Sequence, residues 1–535
     1  MNQAEVKRRQ AGAISEILGW LILLMTGRVT GDNGAAYVMA AVEALLPVWI
    51  IAGSGLADSL GRLLRSRNNK GQYKNAGRMK SSALLFQLIP GVIGSAFLLF
   101  GAEWIAEGIF GERYSALILM VMSPAVLLRT LSLVLLGYFQ GEGTEFPTAA
   151  AGILRPIFIA SLGLLFATGF KEYGGKVSGL LMQDNFTAMY GGVGIAAAVS
   201  VAEVIILLFL VILYKVSRRG VRKTRQESGM RTVDSFVDCV RYLCGRRWQG
   251  ILQAILAYLP LPLGWLFYVK AVKEEDIAAA EYGMYVGQYL VLCGILIAFI
   301  VIVTLPVAGR TLVTVKKEEH RSAKTVFQSG LHISVVHGIY MAVFIAVMAG
   351  QFASLLSPPG SETVRKMLQG GSAAVLSVAL SRYFVRLLNA MDRKYHVMGA
   401  LVIADVLYAI CTALFLNTGK TGILALVYSG LAASCVFCIL LGVIVCGQMR
   451  LRPDWLRIIL LPVVAGGIAG LICVLLERVM APHLGSLITL LVTLIVSSAV
   501  YWAGLLLARD FREQELEHIP GGRVLNALGQ MLRVF

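Results

Sequence analysis

The chain has 535 residues, of which 57% are hydrophobic and only 15% charged, yet its net charge is +17. Its mean hydropathy of +0.74 lies far outside the range of soluble globular chains. A large basic surplus carried by few charged residues means that the charges are segregated along the chain, and no stretch is polar enough for a large soluble domain.

About 20 apolar residues cross a hydrocarbon core of about 30 Å as a helix. Fourteen stretches qualify, near 12–30, 35–59, 81–106, 114–137, 146–169, 193–214, 248–269, 282–308, 328–355, 371–390, 397–417, 422–447, 456–477 and 485–507. The second, eighth, ninth and twelfth are long enough to tilt. The first follows "VKRRQ" but lacks a small-residue cleavage site, so it is expected to stay as a span. The fold class expected is an all-α polytopic membrane protein of 14 transmembrane helices.

Lys and Arg set the orientation. Residues 62–80 hold seven, 215–247 ten and 310–324 five, whereas each loop on the opposite side holds one or two. Both termini are therefore expected on the cytoplasmic side. The eight cysteines fall in spans or cytoplasmic segments, and Cys435 and Cys438 form a CxxC without a second pair or nearby histidines. Small core residues explain that pair better than a zinc site.

Two short stretches repeat. "LLGYFQGEGTEFPTA" from Leu135 runs without a gap against "LLNAMDRKYHVMGA" from Leu387, and "GRLLRSRNNKGQYKNA" from Gly61 against "GRTLVTVKKEEHRSAK" from Gly309. The offsets, 387 − 135 = 252 and 309 − 61 = 248, differ by a small indel. The organisation expected is two parallel-repeat six-helix lobes, 1–214 and 248–447, joined by a basic linker at 215–247. Two further helices (456–507) and an amphipathic tail (508–535) follow. A substrate site is expected between the lobes near the membrane midplane. Val233, Phe236, Val237 and Val240 sit at helical spacing in the linker, and Val524, Leu525, Leu528, Met531, Leu532 and Phe535 in the tail, as in helices lying on a membrane surface.

Polar residues inside spans carry the functional signal. Arg28 closes the first span with Asp32 beside it, where snorkelling to the interface competes with ligand binding. Glu43, one turn before Pro47, is a lone carboxylate inside the second span: a cation or proton site, or a satisfied packing residue. Arg129 and Arg155 sit at equal depth on consecutive spans, roughly 12–13 Å from their cytoplasmic ends. At about 2.5–3.5 kcal/mol each at a helix centre, they need an internal carboxylate, water or a bound anion. Glu203 on the sixth span is the carboxylate available to Arg155. Pro260 and Pro262 in "YLPLPLGW" remove two backbone donors and must kink or unwind the seventh span, as a hinge or a static bend. Arg382 and Arg386 share one helix face, Arg386 close enough to water to snorkel, and Asp405 lies at about the depth of Arg382 and invites pairing with it. No HExxH, P-loop or loop carboxylate pair is present, so neither a cofactor, a metal nor an enzyme activity is expected. Arginine-rich and kinked spans read as a carrier for an anion.

"GRVTGDNGAAYVMAAVEALLPVWIIAGSGLADSLGRLL" (27–64), "LLGYFQGEGTEFPTA", "TLPVAGRTLVTVKKEEHRSAKTVFQSGL" (304–331) and "RDFREQELEHIPGGRVLNALGQMLRVF" (509–535) resemble the multidrug/oligosaccharidyl-lipid/polysaccharide (MOP) exporter superfamily. The likeness is strongest to the branch of stage V sporulation protein B and the MurJ-type lipid II flippases. It covers most of the chain in order, although the eighth span lacks an arginine that some MurJ-type proteins carry. The resemblance implies alternating access around a cationic cavity. It implies transport of an undecaprenyl-pyrophosphate-linked saccharide from the inner to the outer leaflet of a bacterial plasma membrane. The pyrophosphate would be held by Arg28 with Asp32, Arg129, Arg155, Arg382 and Arg386, with Glu43, Glu203 and Asp405 as candidates for ion coupling. Expected partners are the lipid-linked saccharide, membrane lipids and envelope-synthesis enzymes, with no nucleic acid. A drug/cation antiporter of the same superfamily and a non-transporting scaffold for envelope assembly are the alternatives.

Overall fold

The computed structural model describes residues 3–221, 234–245, 247–272, 274–316, 320–356, 362–449, 456–511 and 526. Among them every regular element is helical and no strand occurs. Among the described residues twelve helices are long and apolar enough to cross a membrane, or up to thirteen if the bent pair Glu362–Gly371 and Ala374–Ala390, meeting at 47°, is one span. The count falls below the fourteen expected partly because Gln10–Asn69 registers as one stretch of 60 residues. At 1.5 Å per residue that is about 90 Å, three times the hydrocarbon core. The apolar stripe of the tail lies outside the described residues, as does Val233 of the linker.

By internal contacts the chain falls into two compact units, residues 7–287 and residues 288–535 with residues 1–6. The boundary lies past the basic linker, inside a π-helical turn at Tyr285–Tyr289.

The first unit starts with α1 (Gln3–Gly53), interrupted by Gly31 at φ 83°, ψ 173°. That conformation is open almost only to glycine. The carbonyls freed before the break are taken up locally: Thr30 Oγ1 donates to the Thr26 carbonyl (2.8 Å) and Lys171 Nζ to the Val29 carbonyl (2.7 Å). A left-handed Gly55 (φ 67°) then turns the chain into α2 (Leu56–Asn69). There follow α3 (Tyr73–Phe100), α4 (Ser115–Met122), α5 (Pro124–Gly141), α6 (Phe146–Leu181) and α7 (Asn185–Val221). Helices α2 and α5 touch backbone to backbone. A Cβ on Gly137 would lie 3.0 Å from the Ala57 carbonyl, and one on Gly141 2.5 Å from Leu64 Cβ. This is the small-xxx-small contact that lets membrane helices approach closely. It continues into a core of Leu56, Leu60, Leu64, Met79, Val134 and Leu210.

The linker contributes α8 (Phe236–Gly245), which seats Cys239 and Leu243 in that same core. Phe236 and Val237, apolar by the sequence pattern, stay exposed. Asp234, just ahead of α8, pairs with Arg67 of α2 at 2.6 Å. Arg247 is buried and donates to the carbonyls of Ala52 (3.0 Å) and Ser54 (3.1 Å) at the end of α1. Its cation thus satisfies a helix C-terminus, while burial pushes its pKa down.

Helices α9 (Trp248–Tyr258) and α10 (Pro260–Ala271) form the seventh span. The span divides into two helices at Leu259, directly before the prolines expected to kink or unwind it, and the interruption is slight. Leu259 keeps helical angles (φ −52°, ψ −35°) and its amide still reaches the Ile255 carbonyl at 3.0 Å. Pro260 begins α10, a position where its missing donor costs little. α11 (Glu275–Met284) closes the unit.

The second unit comprises α12 (Leu290–Lys316), α13 (His320–Val347), α14 (Ala349–Leu356), α15 (Glu362–Gly371), α16 (Ala374–Ala390), α17 (Lys394–Asn417), α18 (Leu424–Met449), α19 (Leu461–Met480) and α20 (Ser486–Leu507). Tyr340 and Tyr501 stack at 5.1 Å in its core. His332 Nε2, 2.8 Å from Asp510 Oδ2, ties the segment after α20 to α13.

Candidate functional site

The two arginines flagged by their cost in apolar spans meet one carboxylate. Arg129 stands on α5, whose height is fixed by its glycine contacts with α2; Arg155 stands on α6; Glu203 comes from α7. Glu203 is fully buried, and its Oε1 takes both cations. Arg129 Nη1 donates to it at 3.2 Å, and Arg155 Nε lies 2.7 Å away, although its N–H is not directed as a hydrogen bond requires. The Arg129 guanidinium also lies over the Trp49 ring of α1, 5.1 Å from its centroid, a cation–π contact.

This arrangement is under-satisfied. Arg155 Nε and Nη2, Glu203 Oε2 and Trp49 Nε1 are buried without a hydrogen-bond partner. Two guanidinium charges face one carboxylate, leaving a surplus of one positive charge. The exposure is graded: the side chain of Arg129 is 26% accessible, that of Arg155 11% and that of Glu203 0%. The cluster therefore combines an accessible cation, Arg129, with buried unused N–H donors on Arg155 and a fully buried counter-ion, Glu203. Such a set suits a multivalent oxyanion, which accepts several charge-assisted hydrogen bonds at once.

Glu43 forms a second buried polar cluster in the same unit. It is fully buried, its Oε1 accepts from the Tyr282 hydroxyl of α11 at 2.5 Å, and its Oε2 has no hydrogen-bond partner. Tyr282 packs on Trp265 of α10 at 4.5 Å, and the Tyr258 hydroxyl of α9 is buried without a partner. Among the described residues no cation pairs with Glu43.

The remaining expected site residues lie elsewhere. Arg28 is exposed and Asp32 half-buried, on either side of the Gly31 break. Asp32 is 17 residues from Trp49, or about 26 Å along α1, so the structure does not bring this pair to the cluster. Arg382 and Arg386 are half-buried on α16 of the second unit. The pairing expected between Arg382 and Asp405 is corrected. Asp405 is buried on α17, its Oδ2 lacks a partner, and no ion pair joins it to Arg382 among the described residues. Equal depth fixes height along a helix but not direction around its axis. Arg129 sharing Glu203, and Tyr282 holding Glu43, were not anticipated from sequence. Glu203 being the sole acid within spans four to six was the one signal for the former; nothing local pointed to the latter.

No protein-family profile matches the chain. It is 24% identical over 164 residues to stage V sporulation protein B of Bacillus subtilis (strain 168), covering 31% of this chain and 32% of that one. It is also 24% identical over 193 residues to lipid II flippase MurJ of the same organism, covering 34% and 35%. The chain's matches thus span about a third of the length of these curated relatives. Over most of its length the fold is that of a solved structure of lipid II flippase MurJ in an inward closed conformation (TM-score 0.62, 12% identity, 94% of this chain and 99% of that chain). A multidrug resistance MATE family transporter of the MOP superfamily, in an inward-facing conformation, shares it too (TM-score 0.59, 12% identity, 84% and 98%). These relatives are flippases and transporters rather than enzymes. This multi-pass membrane chain is thus similar in sequence, over about a third of its length, to stage V sporulation protein B and lipid II flippase MurJ, and it shares its fold with solved MurJ and MATE structures.

Proposed function

We propose that the protein is a flippase that carries an undecaprenyl-pyrophosphate-linked saccharide from the inner to the outer leaflet of a bacterial plasma membrane by alternating access, with both termini in the cytoplasm. One observation carries this reading: Arg129 and Arg155 converge on a single carboxylate, with a surplus positive charge and unpaired guanidinium donors inside a membrane span. A pyrophosphate supplies the acceptors and charge that this cluster lacks. The relatives named for lipid II flipping favour a lipid-linked glycan as its carrier.

Export of about two negative charges through an inside-negative potential of 100 mV releases roughly 4–5 kcal/mol, so net flipping requires no nucleotide. Glu43, with its unpaired oxygen, is the coupling site of choice if a cation is exchanged; Asp405, buried with an unpaired oxygen in the second unit, is the alternative. Glu43 also gives the rival reading, a cation exporter, its one specific support, but the arginine cluster opposes cationic cargo.

The test is binding of an undecaprenyl-pyrophosphate saccharide to purified protein, wild type against Arg129→Ala/Arg155→Ala. Binding lost in the double variant supports the reading. Equal binding by both, or none by either, overturns it.

A further inference from the structure

The cluster contains a carboxylate that a simple anion receptor would not need. Glu203 is fully buried while the two arginine side chains keep some exposure, and one of its oxygens takes both arginine contacts while the other has no partner. Arg129 and Arg155 are the charged groups that face it among the described residues. An anion arriving at the arginines therefore meets donors already shared with an internal anion, and approaches a fixed negative charge.

We propose that Glu203 is a resident counter-ion that competes with the cargo for Arg129 and Arg155, weakening the hold on multivalent anions so that the cargo is released. This rests on the flippase reading of the same cluster. Transport demands a site attractive enough to fill and weak enough to empty. Two arginines without a counter-ion would bind a pyrophosphate tightly and release it slowly. With Glu203 in contact with both, the net attraction is that of one positive charge, and every negative charge on the ligand is repelled by the carboxylate. A ligand with two ionised phosphates is thus held back more than a ligand with one. When the cargo leaves, Glu203 reoccupies the donors, so the empty site is never left with two uncompensated buried cations.

The test compares wild type with Glu203→Gln, which removes the charge and keeps the shape, using two probes of one sugar each. One is undecaprenyl-diphosphate-N-acetylglucosamine, the other undecaprenyl-phosphate-glucose. Glu203→Gln is expected to tighten binding of the diphosphate probe by about tenfold or more, and the monophosphate probe by less. Its flipping rate for the diphosphate lipid in vesicles is expected to fall as release slows. Diphosphate binding unchanged or weaker in Glu203→Gln, while Arg129→Ala/Arg155→Ala abolishes it, overturns the counter-ion role and leaves the flippase reading standing. No binding of either probe by the wild type overturns both.

Glu203→Gln leaves two buried arginines without a carboxylate and can fail to fold. In that case infrared difference spectra of wild type and the charge-retaining Glu203→Asp read the same exchange. A carboxylate band that shifts on adding the diphosphate probe, at a frequency changed by Glu203→Asp, supports the proposal. The absence of any carboxylate change on binding overturns it.

Discussion

The Tyr282 hydroxyl donates to Glu43 Oε1 at 2.5 Å, joining residues 239 positions apart in the chain and both fully buried. Among the described residues Glu43 Oε2 has no hydrogen-bond partner, so the Tyr282 hydroxyl is the donor that links this carboxylate on α1 to α11.

Replacing Tyr282 by Phe leaves the Glu43 carboxyl buried with neither oxygen satisfied, at a cost of about 1–3 kcal/mol. The detergent-solubilised variant is expected to melt several degrees below wild type. In a Glu43→Leu background the same substitution is expected to cost markedly less, because the group it would orphan is gone. Equal losses in both backgrounds would show that the ring, rather than the hydroxyl, matters.

The corner at Gly31 depends on two glycines. Gly31 itself holds φ 83°, ψ 173°, and a Cβ on Gly283 would lie 1.9 Å from the Asp32 carbonyl. Gly31→Val is expected to cost about 1–3 kcal/mol through backbone strain. Gly283→Ala has to push α11 away from α1 and is expected to lower the melting temperature as well. Gly77, around which a Cβ meets open space, serves as the control and tolerates alanine.

Gly141 indexes the arginine helix to its neighbour. Gly141→Val is expected to destabilise the protein by about 1–3 kcal/mol through overpacking against Leu64. It is also expected to weaken binding of the diphosphate lipid, since α5 carries Arg129. Unchanged melting would show that α2 and α5 separate without penalty.

Two linker cysteines report on the seating of α8. Cys239 is buried in the first unit's core and burial pushes its thiol pKa up, whereas Cys244 is exposed. A raised pKa means less thiolate at neutral pH and slower alkylation. Maleimide is expected to label Cys244 within minutes and Cys239 only after unfolding, with the Cys239 rate rising as pH is raised. Fast labelling of Cys239 at neutral pH would mean that α8 is not docked on α2 and α3.

The helical membrane architecture was legible because the bilayer writes it as runs of about 20 apolar residues. The cost of an arginine in such a run likewise exposed Arg129 and Arg155. What sequence did not show was direction around the helix axis. Depth alone made Arg382 and Asp405 partners, yet no ion pair joins them among the described residues; Glu203 was the carboxylate expected for Arg155, and Arg129 reaches it too. The prolines mark the place where the seventh span divides into α9 and α10, and the polar stretch "TGDNG" between the first two expected spans contains the break at Gly31. The Glu43–Tyr282 contact spans most of the first unit's length, and no local pattern encodes it.

The charge left over in the arginine cluster also has an electrical meaning. Empty, the cluster carries about one positive charge, and with two phosphates seated it carries about one negative charge, so the sign reverses on loading. An inside-negative voltage draws the first inward and drives the second outward, each by about 2.3 kcal/mol per elementary charge for every 100 mV crossed. In the proposed cycle a single voltage therefore favours both strokes. The return of the unloaded carrier is itself an electrogenic step, visible as a charge movement of the same polarity as the one that accompanies export.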